Sequence, residues 1–294
     1  MPKAKQTKSK HLKPSTSASE APSSFADAAF FPFARYTSIV GVHTSLLVFT
    51  ALFLPRSLVQ FAPEPTAERT SKDRPQHPFL EDLTLNPAFT ALAIVAGTAL
   101  LQSWWAGFVR NWWVEYSLRG PEEDKKVERA ALGKDKITQF ARAWLFTLAA
   151  SLPLHIVLVL LGAPIATHIP QTYFMALELS ILILFVPAYT FGLPSLNTNQ
   201  TEGLLVRLTW VRLFAEFSIR TPIERAMVYP AIGAALGCWS GAIPIALDWD
   251  RPWQAWPLTP LYAGILGYIL LSISALTVSS VLSLADESKR AKVE

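Results

Sequence analysis

Cysteine, charge and clustered histidine are all scarce in this 294-residue chain. The single cysteine, Cys238, has no intrachain disulfide partner, so a disulfide framework and a CxxC metal site are both excluded. The five histidines, His11, His43, His77, His155 and His168, are scattered among tail, loops and separate apolar segments. Metal-assisted phosphoester chemistry draws on clustered His, Asp and Glu ligands, and no HExxH, P-loop or GxSxG pattern occurs. The reading is of a chain with no catalytic set, no metal and no cofactor. Charged residues make up only 16% and hydrophobic residues 51%. Such a balance belongs to a membrane protein.

Crossing a hydrocarbon core of roughly 30 Å takes about twenty apolar residues in a helix. Six segments qualify: 36–54, 87–109, 140–161, 172–193, 226–247 and 261–284. The expected fold is therefore all-α, with six transmembrane helices forming a membrane domain over 26–285. The first span begins too late and is too long for a cleaved signal peptide, and reads as a signal anchor. Residues 1–25, rich in Lys, Ser, Ala and Pro, cannot bury enough apolar surface to fold and read as a disordered tail; a short tail follows at 286–294. Asn86-Pro87 is an N-cap with proline at the first helical position, and Gly120-Pro121 a stop. Trp104, Trp105, Trp112 and Trp113 then read as an aromatic belt at the membrane boundary. Gly203 to Ser218 is apolar too, but Arg207, Arg212 and Glu216 oppose insertion at about 2.5 to 3.5 kcal/mol each. It is expected to lie in the interface as a helix, with Arg212 and Glu216 paired at i,i+4.

With six spans, both termini share one side. That side carries twenty Lys and Arg against five on the other, while Arg142 lies just inside the third span and snorkels outward. Positive residues are retained in the cytoplasm, so both termini and the interfacial helix are expected there, and the loop after the fifth span faces the lumen. The net charge of +4 is thus a topological bias, and nothing calls for nucleic acid.

Three features offer chemistry. His155 and Glu178 both fall about 9 Å below the lumenal boundary in neighbouring spans, close enough in depth to pair, as a packing hydrogen bond or as proton or headgroup chemistry. Gly233, Gly237 and Gly241 drift only about 40° per step and make one flat helix face, suited to core packing or to a partner protein's helix. The loop Leu247 to Pro257, LDWDRPWQAWP, carries Asp248, Trp249, Asp250, Arg251, Trp253 and Trp256 between two apolar segments. It is either a tight interfacial turn with Arg251 paired to Asp248 or Asp250, or a headgroup site. In the second case a tryptophan face plus a carboxylate would hold the ammonium of phosphatidylethanolamine, and Arg251 its phosphate.

Before that loop come Tyr229-Pro230, the three glycines and Ala242-Ile243-Pro244-Ile245, and after it Pro260 and Gly264. Taken together, Tyr229 to Gly267 resembles the PIG-F family of glycosylphosphatidylinositol (GPI) anchor assembly. The resemblance implies a non-catalytic subunit of the endoplasmic reticulum membrane. Its partner would be a large multi-span GPI ethanolamine phosphate transferase, which moves phosphoethanolamine from phosphatidylethanolamine to a GPI mannose in the lumen. It favours partner docking for the glycine face. Two other readings stand beside it: an integral-membrane enzyme using Asp248, Asp250, His155 and Glu178, and a lipid transporter or scramblase, which would want a continuous polar path.

The charge asymmetry generates a first prediction. Asn199-Gln200-Thr201 is a formal glycosylation sequon that this topology places in the cytosol. Endoglycosidase digestion should leave the mobility of the native chain unchanged, whereas a sequon engineered near Lys72 should be modified. A glycan on Asn199 would refute the orientation.

Overall fold

The computed structural model describes residues 31–61, 77–118, 135–194, 201–247 and 249–292. The expected disordered tail at 1–25, the Gly120-Pro121 stop and Asp248 lie outside them. The described residues contain helices and connecting turns and no strand, and six of the helices are long and apolar enough to cross a membrane.

α1 runs Phe33–Leu58 and ends in a 3₁₀ turn to Phe61. The short α2, Pro78–Thr84, leads into α3, Pro87–Ser117. Asn86 caps α3 as its residue type predicts: its Oδ1 accepts from the Phe89 N–H at 3.1 Å, and Pro87 fills the first position where an N–H would be idle. At 31 residues, about 46 Å at 1.5 Å per residue, α3 is longer than a core crossing needs. α4 spans Lys136–Leu160. α5 spans Ile169–Phe191 and contains a turn of π-helix at Ile181–Phe185; Pro187 just beyond it has no N–H to offer the ladder. α6 is Thr201–Phe214, α7 Pro222–Gly241 and α8 Leu258–Arg290.

Two apolar clusters run through the bundle. One joins Leu47 and Ile94 to Met175, Leu179, Ala234, Leu261 and Ile265. The other is aromatic, joining Tyr36, Trp105, Trp112, Phe185 and Tyr189. Trp105 and Trp112 are therefore core residues, 3% and 4% exposed, and they pack edge to face at 5.9 Å. Their expected place in a boundary belt is corrected: they lie seven residues apart, two helical turns, on the side of α3 that α1 covers. Trp104, on the neighbouring face, is the exposed one. His43 is buried in α1 and stacks on Trp105 at 5.0 Å.

The closest helix contact is between α7 and α8. A Cβ at Gly233 would strike the Gly267 carbonyl, and one at Gly237 the Ala263 carbonyl. At Gly241 it would come within 2.6 Å of the Thr259 oxygen, and at Gly267 it would meet the Gly233 carbonyl. The two helices thus touch backbone to backbone in antiparallel register. The glycine face is filled by the same chain's α8. The docking of a partner's helix there is corrected, because no room remains.

This contact separates glycines that are needed from one that is not. Gly237→Ala drives a Cβ into fixed backbone and should lower stability by about 1–3 kcal/mol, read as the thermal midpoint of the detergent-purified chain. At Gly264 a Cβ would lie at an ordinary 3.5 Å from the Ala234 carbonyl, so Gly264→Ala should be neutral or stabilising. Equal midpoints for the two variants would contradict the backbone-contact account.

Candidate functional site

The loop that joins α7 to α8 is built around Gln254. Pro252, Trp253 and Gln254 form one 3₁₀ turn. From it the Gln254 side chain reaches back, donating from Nε2 to the Pro244 carbonyl at 2.6 Å and the Leu247 carbonyl at 2.8 Å, while its Oε1 accepts from the Arg251 N–H at 2.8 Å. One amide thus ties three backbone groups together: the Pro244 and Leu247 carbonyls, which also accept from the Leu247 and Trp249 N–H groups, and the Arg251 N–H. Trp256 Nε1 donates to Thr172 Oγ1 at 2.9 Å, fastening the loop to the start of α5.

That clip leaves other side chains outward. Trp249 is half exposed and its ring meets Trp253 edge to face at 5.7 Å. Asp250 is exposed and has φ of +46°, a left-handed conformation that Asp tolerates better than most residues. Among the described residues Arg251 and Asp250 form no ion pair. The loop thus presents an indole pair, a carboxylate and a guanidinium together, the last two without each other as counter-charge.

His155 and Glu178 are not brought together. The His155 ring faces Tyr173, centroids 6.4 Å apart, whereas Glu178 is buried against Cys238, Leu261 and Gly264 of the α7–α8 hairpin. The Thr98 hydroxyl of α3 is the polar side chain that approaches Glu178, without the geometry of a full hydrogen bond. Tyr173 and Glu178 are five residues apart on α5, which turns their side chains about 140° from each other. Similar depth does not make two residues neighbours. Among the described residues no group of three or more His, Cys, Asp or Glu could hold a metal ion.

The strongest polar cluster was not anticipated. Arg212 does not pair with Glu216, because α6 ends at Phe214 and the i,i+4 register is lost. Instead its Nη2 donates to Glu224 Oε1 at 2.5 Å and its Nη1 to Oε2 at 3.3 Å and to the Ser218 carbonyl at 2.7 Å. Glu224 also accepts from the backbone N–H groups of Arg220 and Thr221, and Thr221 Oγ1 accepts from the Glu224 N–H at 3.1 Å. This is a capping box at the start of α7, and Thr221-Pro222-Ile223-Glu224 was its sequence signal. The carboxylate holds the helix start and α6 at once. On the other side of α6, Trp210 Nε1 donates to the Gly192 carbonyl at 3.1 Å.

With this geometry in view the comparisons with known proteins become specific. Residues 76–276 match the model of the GPI biosynthesis protein family Pig-F, more than half of the chain, and the chain belongs to that family. It is 41% identical over 134 residues to the glycosylphosphatidylinositol anchor biosynthesis protein 11 of Pyricularia oryzae, covering 46% of this chain and 45% of that one. It is 31% identical over 134 residues to the human GPI ethanolamine phosphate transferase, stabilizing subunit, covering 46% of this chain and 56% of that one. It is 37% identical over 126 residues to the PIGF/3-ketodihydrosphingosine reductase fusion protein of Schizosaccharomyces pombe, 43% of this chain and 23% of that one. The matches span about half the length of these curated relatives or less. No solved structure matches the chain.

Substitution of Glu224 tests how much this cluster contributes to stability. Glu224→Ala strands a guanidinium and two backbone N–H groups, and should cost about 3 kcal/mol. Glu224→Gln keeps an acceptor and should lose roughly half as much. Thermal midpoints in detergent measure both, and an unshifted Glu224→Ala would remove the cluster from the account of stability.

Proposed function

We propose that this chain is a non-catalytic subunit of the endoplasmic reticulum membrane that binds and stabilises a large multi-span GPI ethanolamine phosphate transferase. In that role it supports the addition of phosphoethanolamine to a GPI mannose. The observation that carries the reading is family membership together with the name of the human relative, a stabilizing subunit. Six membrane-length helices without a folded domain outside the bundle among the described residues accord with it. Both termini lie on the cytosolic side in this reading, and the Gln254-clipped loop faces the lumen.

The loop is then the docking element. Trp249, Asp250, Arg251 and Trp253 stand on a hydrogen-bonded turn, and among the described residues no ion pair engages Asp250 or Arg251, which suits recognition of a protein surface. The same set could receive the headgroup of phosphatidylethanolamine, its ammonium against an indole and Asp250, its phosphate against Arg251.

Asp250→Asn and Arg251→Ala separate docking from chemistry. Affinity purification in mild detergent should recover the transferase with the wild-type chain. The variants should recover less of it, in proportion to lost GPI modification, with activity per assembled complex nearly unchanged. Complexes intact in quantity but without turnover would overturn the scaffold reading and assign the loop to headgroup binding or catalysis.

A further inference from the structure

At the opposite end of the bundle the structure holds a cation that no carboxylate among the described residues balances. Arg110 is buried, 5% exposed, in α3. Its Nη1 donates to the Tyr189 carbonyl at 2.5 Å and its Nη2 to Gln139 Oε1, both neutral acceptors, and Nε has no partner. The guanidinium also stands over the Tyr189 ring, 4.7 Å from its centroid. Among the described residues no carboxylate pairs with it. Burying a guanidinium without a counter-charge is costly. An anion would remove that cost.

There is room for one. Arg110 lines a cavity of about 500 Å³ between the end of α3, the start of α4 and the end of α5. The same cavity is lined by Arg142, which is exposed and has no ion pair among the described residues, and by Gln139. Thr190 lines it too, and its Oγ1 is buried without a hydrogen-bond partner, although a helical threonine ordinarily bonds the carbonyl four residues back. Arg110 also borders a second hollow of about 230 Å³, with Arg35 and Lys136. Glu115 is the only carboxylate among the described residues that line either space.

We propose that this cavity binds the phosphate of an anionic phospholipid, held between Arg110 and Arg142 with the Thr190 hydroxyl as a further donor. Guanidinium pairs with phosphate in a forked, charge-assisted geometry, and the idle donors supply the contacts that such a group needs. A lipid is favoured over a soluble phosphate because most of the remaining wall is apolar, with Trp113, Leu118, Phe191 and Val206, and because the cavity lies where membrane-length helices end. This site is independent of the lumenal loop and of the transferase partner.

The test uses the full chain purified alone in detergent, delipidated, and offered dioleoyl phosphatidic acid or dioleoyl phosphatidylcholine, with bound lipid counted by native mass spectrometry. The wild type should prefer phosphatidic acid. Removing one charge-assisted contact should weaken that preference about tenfold. Arg142→Gln and Thr190→Val are the variants; one side chain is exposed and the other change is isosteric, so thermal midpoints should stay at the wild-type value. A preference equal in wild type and variants would overturn the site. Displacement of phosphatidic acid by millimolar orthophosphate would overturn the lipid assignment and leave a soluble-phosphate site. Failure of transferase co-purification bears on the proposed function and leaves this result untouched.

Discussion

The backbone contact between α7 and α8 is the constraint from which the rest of the bundle follows. Lipid tails are as apolar as leucine, so helices gain little by leaving lipid for each other, and close van der Waals approach must supply the association. Glycine at 233, 237 and 241 facing Ala263, Gly264 and Gly267 gives that approach on both sides of the seam. Once the seam is closed, the connection from Ala242 to Pro257 has a fixed span to cover. The Gln254 clip is the local solution, tying the first half of the connection to the second. A loosened seam would leave the clip with nothing fixed to close.

Around this hairpin the other spans are fastened by hydrogen bonds as much as by packing. The Tyr262 hydroxyl donates to the Ala51 carbonyl of α1 at 3.0 Å, the Tyr268 hydroxyl to Gln102 Oε1 of α3 at 3.3 Å, and the Ser180 hydroxyl of α5 to the Thr147 carbonyl of α4 at 2.6 Å. Arg225 Nη1 donates to Ser279 Oγ at 2.9 Å, adding a polar tie inside the hairpin itself. In hydrocarbon such groups have no water to fall back on, which orients each span about its own axis. Among the described residues His43 Nε2 and the Gln102 amide nitrogen remain without partners within this interior. The polar groups there do not form a finished network.

Much of the architecture was legible beforehand because it rests on length and apolarity, which survive any change of neighbour. All six spans recur as long apolar helices, and Asn86-Pro87 starts α3 where its chemistry says. What failed was assignment of partners. The spacing of Gly233, Gly237 and Gly241 reports a flat face and is silent on which helix lies against it. The Arg212–Glu216 pair presumed a helix running on past Phe214, whereas Glu224 offered the same charge plus a second task at a helix start. Shared depth left open whether His155 and Glu178 meet, because depth carries no azimuth. Gln254 gave no signal, since a glutamine in a loop is ordinary until the carbonyls it meets are known.

The two ends of the bundle are therefore different in kind. At one, a side-chain amide satisfies the backbone of a short loop and frees Trp249, Asp250 and Arg251 for contact. At the other, Arg212 and Glu224 neutralise each other, but Arg110 does not have that relief. A chain whose closest helix seam is internal has no room for another helix at Gly233, Gly237 and Gly241. Recognition of the proposed partner would then fall to the outward side chains of the outer helices or to the α7–α8 loop. Lipid-facing leucines such as Leu145 and Leu152 are exposed on α4, yet they suit lipid and protein alike and discriminate little. Discrimination needs groups whose desolvation is unfavourable without the right counterpart, and among the described residues the loop between α7 and α8 is where such groups stand together on a hydrogen-bonded backbone.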